Sequence, residues 1–121
     1  MKRAAWSEKK PAHYSFEAEL MCFCPETVRK PVTFEVKEGV TVATHYADGG
    51  EIAAELKELF VKHDSIDKIF AILQDAADRN ASDIRTTFDP ALGYPLEIAI
   101  DYSTQMADEE LGLSIRNLRV L

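Results

Sequence analysis

From Tyr14 onward apolar and polar residues alternate without a break: Tyr14, Phe16, Ala18, Leu20, Cys22 and Cys24 fall on one side, Ser15, Glu17 and Glu19 on the other. A strand with one buried face has this period of two, because successive side chains point to opposite sides of a sheet. Met21 and Phe23 add apolar surface to the second face. Pro25 has no N–H for a ladder and marks the expected strand end. The period returns in "PVTFEVKEGVTVATHY". Here Val32, Phe34 and Val36 share a side, with Thr33, Glu35 and Lys37 on the other, and Glu38-Gly39 reverses the chain into Val40, Val42 and Thr44 of the next strand. Gly39 supplies the positive φ of a tight hairpin turn. Three antiparallel strands in a meander are the economical reading.

"ADGG" ends that pattern and the spacing changes to a helical one. Ile52, Leu56, Leu59 and Phe60 share one stripe, and Ile66, Ile69, Phe70 and Leu73 repeat it. The spacing predicts a helix over 66–79. Asp64 and Ser65 are placed to cap it, and Asp67, Lys68, Gln74, Asp75 and Asp78 are expected in water. The stretch before it reads equally as a first helix or as an irregular turn, since His63 and Asp64 interrupt it. Asn80 suits a left-handed helix end. Alternation then resumes through Ile84, Thr86 and Phe88, through Leu96, Ile98 and Ile100, and through Leu111, Leu113 and Ile115.

The predicted fold class is therefore α+β: an antiparallel sheet of about six strands in βββ-α-βββ order, with one or two helices packed on one face. The core is expected to join Tyr14, Phe16, Leu20, Val32, Phe34, Ile69, Phe70, Leu73, Phe88, Ile98 and Leu113. At 121 residues this is a single domain, 1–121. Residues 1–12 are expected to be flexible or a truncated N-terminal element.

Charge narrows the partners. Fourteen Lys and Arg against 21 Asp and Glu leave a net charge of −7, a field that repels a phosphate backbone, so nucleic acid is not expected. No apolar run reaches the length of a membrane span. Lys2, Arg3, Lys9 and Lys10 form a basic start without the apolar region of a signal peptide, which fits a cytoplasmic protein or one whose export signal has been removed.

"CFCP" raises metal, disulfide and core readings. Two thiols are too few for a closed zinc site, and His13, His45 and His63 stand at no ligand spacing. A soft ion such as Cu(I) could be held by a Cys-x-Cys pair. A Cys22–Cys24 disulfide would need a bulge, because i and i+2 in a strand lie at or beyond the usual Cα limit. With no Lys, Arg or His beside them to lower a thiol pKa, packed thiols rank first, a strained disulfide second and redox catalysis last.

"FDPALGYP" is turn chemistry. Asp89 is expected to fold back on its own backbone, with Pro90 fixing φ and Gly93 taking a left-handed angle. The functional reading makes Asp89, Pro90, Gly93, Tyr94 and Pro95 a recognition loop with Tyr94 held rigid. Asp101, Asp108, Glu109 and Glu110 gather around a turn. Their spacing fits no calcium loop, so a solvated acidic turn outranks a metal site and no cofactor is expected. There is no G-x-S-x-G, H-E-x-x-H or phosphate-cradling glycine loop.

With Trp6, Tyr14 and Phe16 before it, C-F-C-P at 22 to 25, "FDPALGYPLEIAIDY" at 88 to 102 and "ADEELGLSI" at 107 to 115 resemble a domain-of-unknown-function family of small exported bacterial proteins and lipoproteins. The likeness runs from Trp6 to Leu118. It departs from the family in having no export signal and a longer stretch from Glu51 to Lys62. The resemblance implies residence in the periplasm or cell envelope and no assigned activity. The expected function is a non-catalytic binding or interaction domain, using sheet edges or the face opposite the helix, for an unknown protein or small ligand. The alternative is a small thiol redox or soft-metal protein using Cys22 and Cys24.

Overall fold

A computed structural model describes residues 3–21, 25–102 and 110–121. Six strands, β1 (His13–Leu20), β2 (Val32–Lys37), β3 (Val40–Tyr46), β4 (Asp83–Phe88), β5 (Pro95–Asp101) and β6 (Glu110–Val120), form one antiparallel sheet in the order β3-β2-β1-β6-β5-β4. It consists of two three-stranded meanders joined where β1 pairs with β6. Cross-strand register puts Phe16 opposite Phe34, Ala18 opposite Ile115, and both Leu20 and Ile98 opposite Leu113. Residues opposite one another share a face, so the alternating apolar positions of both meanders build a single buried surface. The rings of Tyr14 and Phe16 lie 6.0 Å apart and those of Phe16 and Phe34 5.3 Å apart on it.

The turn between β2 and β3 puts Glu38 at φ 52° and Gly39 at φ 81°, the pair of positive angles that matches strand twist in a two-residue hairpin. The strand beyond it does not keep one alternation throughout. Val36 is opposite Thr41 but Glu35 is opposite Ala43, so an extra residue is inserted at Val42. Val40, opposite Lys37, and Val42 face away from the core, at 64% and 55% exposure, and the bulge changes the phase so that Thr44 and Tyr46 face Phe34 and Val32 across the ladder.

Among the described residues four helices accompany the sheet: α1 (Arg3–Lys9), α2 (Glu26–Arg29), α3 (Ala54–Phe60) and α4 (Ile66–Asp78), with one 3-10 turn at Val61–His63 between the last two. The stretch 54–63 is thus both of the sequence alternatives in succession. In α4, Ile66, Ile69, Phe70, Leu73 and Ala76 make the buried stripe, and Phe70 stacks on Phe88 at 6.3 Å. The Ser65 hydroxyl accepts the Lys68 N–H at 3.2 Å as its N-cap. At the other end Asn80 adopts φ 55° and the Ala81 N–H reaches the Ala76 carbonyl, a Schellman ending.

α1 supplies a core residue that periodicity does not mark. Trp6 is wholly buried, edge-on to Tyr14 at 5.4 Å and to Tyr94 at 6.1 Å, and its indole N–H donates to Asp67 Oδ1 at 3.2 Å. Leu20 and Phe88, expected in the core, are partly buried and pack against it. Through Trp6, Phe60 and Phe70 the helices α1, α3 and α4 lie over one side of the sheet. The opposite side carries the polar members of each strand.

Candidate binding face

The Asp89 turn forms as its residue types dictate. Asp89 Oδ2 accepts from the Ala91 and Leu92 amides at 3.0 and 2.8 Å, and Gly93 takes φ 83°. Its backbone closes through Gly93 N–H to the Asp89 carbonyl and Asp89 N–H to the Tyr94 carbonyl. The Tyr94 side chain points inward, 8% exposed and against Trp6, and Pro95 is wholly buried. Burial, and then the Asp89 charge, push the Tyr94 phenol above its ordinary pKa. Lys9 Nζ donates to the Ala91 carbonyl at 3.3 Å, which ties α1 to this corner. Of the recognition loop read from sequence, Pro90 is exposed while the Tyr94 ring is occupied in packing.

Asp101 and Glu110 stand opposite each other on β5 and β6, and Asp83 extends the row on β4. Asp108 and Glu109, like Cys22 and Cys24, lie outside the described residues. Among the described residues no three His, Cys, Asp or Glu side chains are grouped to hold a metal.

Among the described residues no helix covers the other face of the sheet, and the geometry directs attention to its β4, β5 and β6 part, called the uncovered face below. A trough of about 320 Å³ is lined by Met21, Arg85, Thr87, Glu97, Ala99, Gly112 and Ser114. A second hollow of about 290 Å³ shares Met21, Arg85, Ala99 and Gly112 with it and extends to Asp83, Asp101 and Glu110. Ala99 and Gly112 are opposite each other in the ladder: Met21 packs over Gly112, and the small side chain of Ala99 beside it leaves the depression. Gly112 is required: a Cβ there would sit 2.8 Å from Met21 Cβ and 3.1 Å from the Met21 carbonyl oxygen. The Met21 N–H donates to the Gly112 carbonyl at 3.0 Å, so the chain beyond β1 is held against β6 and Met21, 56% exposed, walls the trough. On the β4 side Arg85 Nε donates to Asp83 Oδ2 at 2.8 Å.

Sequence reasoning missed this site. Its signal was a glycine inside the strand pattern "ELGLSI", which marks a close backbone approach, beside the Ala99 of "LEIAID".

On the rest of that face polar side chains meet one another across the strands. His13 Nε2 meets Glu35 Oε2 at 2.6 Å and Arg116 pairs with Glu19. Asn117, at φ 55° in a bulge opposite β1, donates to Glu17 at 3.1 Å.

Polar groups gather on the covered side too, but they serve the fold. Thr41 Oγ1 donates to the Asp64 carbonyl at 2.7 Å, and the Ile66 N–H donates to the Tyr14 hydroxyl at 3.1 Å. Asp64 Oδ1 is buried and answered by the Lys68 ammonium at 2.8 Å, an ionic contact rather than a well-directed hydrogen bond. His63, 6% exposed, lies edge-on to Phe34 and Phe60, and burial drives its pKa down to about 4 against the opposing pull of Asp64. Burial likewise raises the Tyr14 phenol to about 12.

Comparison with known proteins finds one family model, described as a family of unknown function (DUF6174), that matches residues 1–120. No curated protein and no solved structure matches the chain.

Proposed function

The chain belongs to that family of unknown function, DUF6174, and we propose that it is a non-catalytic binding domain of the bacterial cell envelope whose partner docks on the uncovered face of the sheet. The trough over Ala99 and Gly112 carries this reading. One face of the sheet is occupied by three helices. The other offers a concave strip beside Met21, next to a half where His13 meets Glu35 and Arg116 pairs with Glu19. Sites of this kind sit on rigid elements, and strands hold their side chains in fixed positions. The envelope location rests on the likeness of the C-F-C-P and D-P-x-x-G-Y-P segments to exported proteins and lipoproteins.

Selection of peptides from a random displayed library on the parent protein and on an Ala99→Leu variant tests the face. Ala99 is exposed, so leucine there fills the trough while leaving the core intact. Peptides that bind the parent and are lost on Ala99→Leu are expected. Peptides that bind both alike would place recognition elsewhere and end this reading. The location is tested by protease treatment of spheroplasts expressing the natural gene: digestion of the domain is expected, and full protection would put it inside the cytoplasm.

A further inference from the structure

We infer that β4 is a self-pairing edge, along which two copies of this chain join antiparallel with Ile84 on the two-fold axis. The sheet ends in β3 on one side and in β4 on the other, and an outermost strand leaves every second backbone N–H and C=O without a ladder partner. The two ends are built differently. β3 is bent by the bulge at Val42, and its Thr41 hydroxyl is tied to the Asp64 carbonyl. β4 has no proline, keeps an unbroken register with β5 from Asp83 to Thr87, and exposes Asp83, Ile84 and Arg85 in succession. Among the described residues no strand pairs with its outer side.

Charge selects the occupant and the register. A strand added so that the sheet continues, with the helices of both copies on one side, sets side chains of the same face opposite one another. Asp83 and Arg85 are two residues apart and share the uncovered face, with Arg85 beside Ala99. An axis through Asp83 brings Asp83 against itself, one through Arg85 brings Arg85 against itself, and one through Thr86 brings Asp83 against Asp89. Each of these sets like charges directly opposite, which is unfavourable. With the axis at Ile84, Asp83 of each copy faces Arg85 of the other, and Ile84, 38% exposed, meets its twin on the helix side. The same count brings Ser82 of one copy opposite Thr86 of the other. Thr86 Oγ1 is buried without a hydrogen-bond partner among the described residues, and Ser and Thr hydroxyls bond across antiparallel ladders. Within one chain Arg85 Nε donates to Asp83 Oδ2 at 2.8 Å, which uses one of the five N–H donors of a guanidinium. Charges on an edge strand ordinarily keep other chains away. Here the two are opposite in sign, so they reject the neighbouring registers and accept this one.

Sedimentation velocity of the full chain tests this. One strand pair is a small interface, so a reversible dimer with a Kd on the order of 100 μM is expected, seen as a sedimentation coefficient that rises between about 10 μM and about 1 mM chain. Arg85→Asp alone and Asp83→Arg alone should each weaken association roughly tenfold or more, since each sets like charges opposite across the axis. Asp83→Arg also lowers the net negative charge, so its loss of association reads the register and not overall repulsion. An equimolar mixture of the two variants should associate about as tightly as the parent, because in the mixed pair every acid again faces a base. So should the exchanged chain Asp83→Arg/Arg85→Asp. Both side chains are more than half exposed, so the urea melts of all three variants are expected to match that of the parent. A parent that stays monomeric at about 1 mM, an Arg85→Asp chain that associates like the parent, or a mixture that associates no better than its components would each overturn the inference.

Discussion

Two residues report on packing more directly than any other. His63 is neutral in the folded chain because burial depresses its pKa to about 4, whereas in the unfolded chain it titrates near the ordinary 6.5. Between those values the unfolded state binds the extra proton. The His63 contribution to stability is therefore complete above about pH 6.5 and is lost as the pH falls toward 4, by on the order of 3 kcal/mol. Urea melts across that range should show the parent losing stability relative to His63→Leu as the pH drops, and parallel curves would mean that the ring is solvated. At Gly112 an added methyl meets Met21 Cβ at 2.8 Å. Gly112→Ala should cost roughly 1 to 3 kcal/mol through the backbone shift it forces. A change below about 0.5 kcal/mol in the same melts would show that Met21 yields without effort.

Among the elements, α4 was the most legible in the sequence and also shows where periodicity stops. Its stripe, its Ser65 cap and its Asn80 ending follow from residue types at fixed offsets, which local physics determines. The side chains expected in water are a different matter. Asp67 receives Trp6 Nε1 and Lys10 Nζ, and Lys68 lies over buried Asp64, because helix and loop partners distant in sequence come to them. Lys68→Glu, which the sequence alone would rate as harmless, should thus cost about 1 to 3 kcal/mol by leaving Asp64 facing a like charge. An unchanged denaturation midpoint would show the pair to be ornamental. The same distinction governs β3 and the candidate site. Alternation finds a strand but is blind to the inserted residue at Val42, after which Thr44 and Tyr46 are the inward positions, and blind to a hollow left where Met21 packs over Gly112 beside the small Ala99. Helix α1 offers seven residues and a single large apolar one, too little for any period to appear, although Trp6 is central to the core.

For the whole molecule the decisive seam is β1 against β6, the strands earliest and latest in the sequence. Each meander is built from neighbours in the chain, but neither alone closes the surface on which α4 lies. Removing residues 110–121 should abolish cooperative unfolding, because it strips β1 and β5 of a partner at once and bares Ala18 and Ile98. Trp6 fluorescence in urea would show this as a gradual slope, and a retained sigmoidal transition would assign independent stability to the first meander. The seam also imposes a timetable on synthesis. While the ribosome is still adding the second meander, β1 has β2 on one flank and nothing on the other, and the sheet has no middle. Folding to completion then waits on the last strand to emerge, so the nascent domain stays pliable until translation of this region is nearly done.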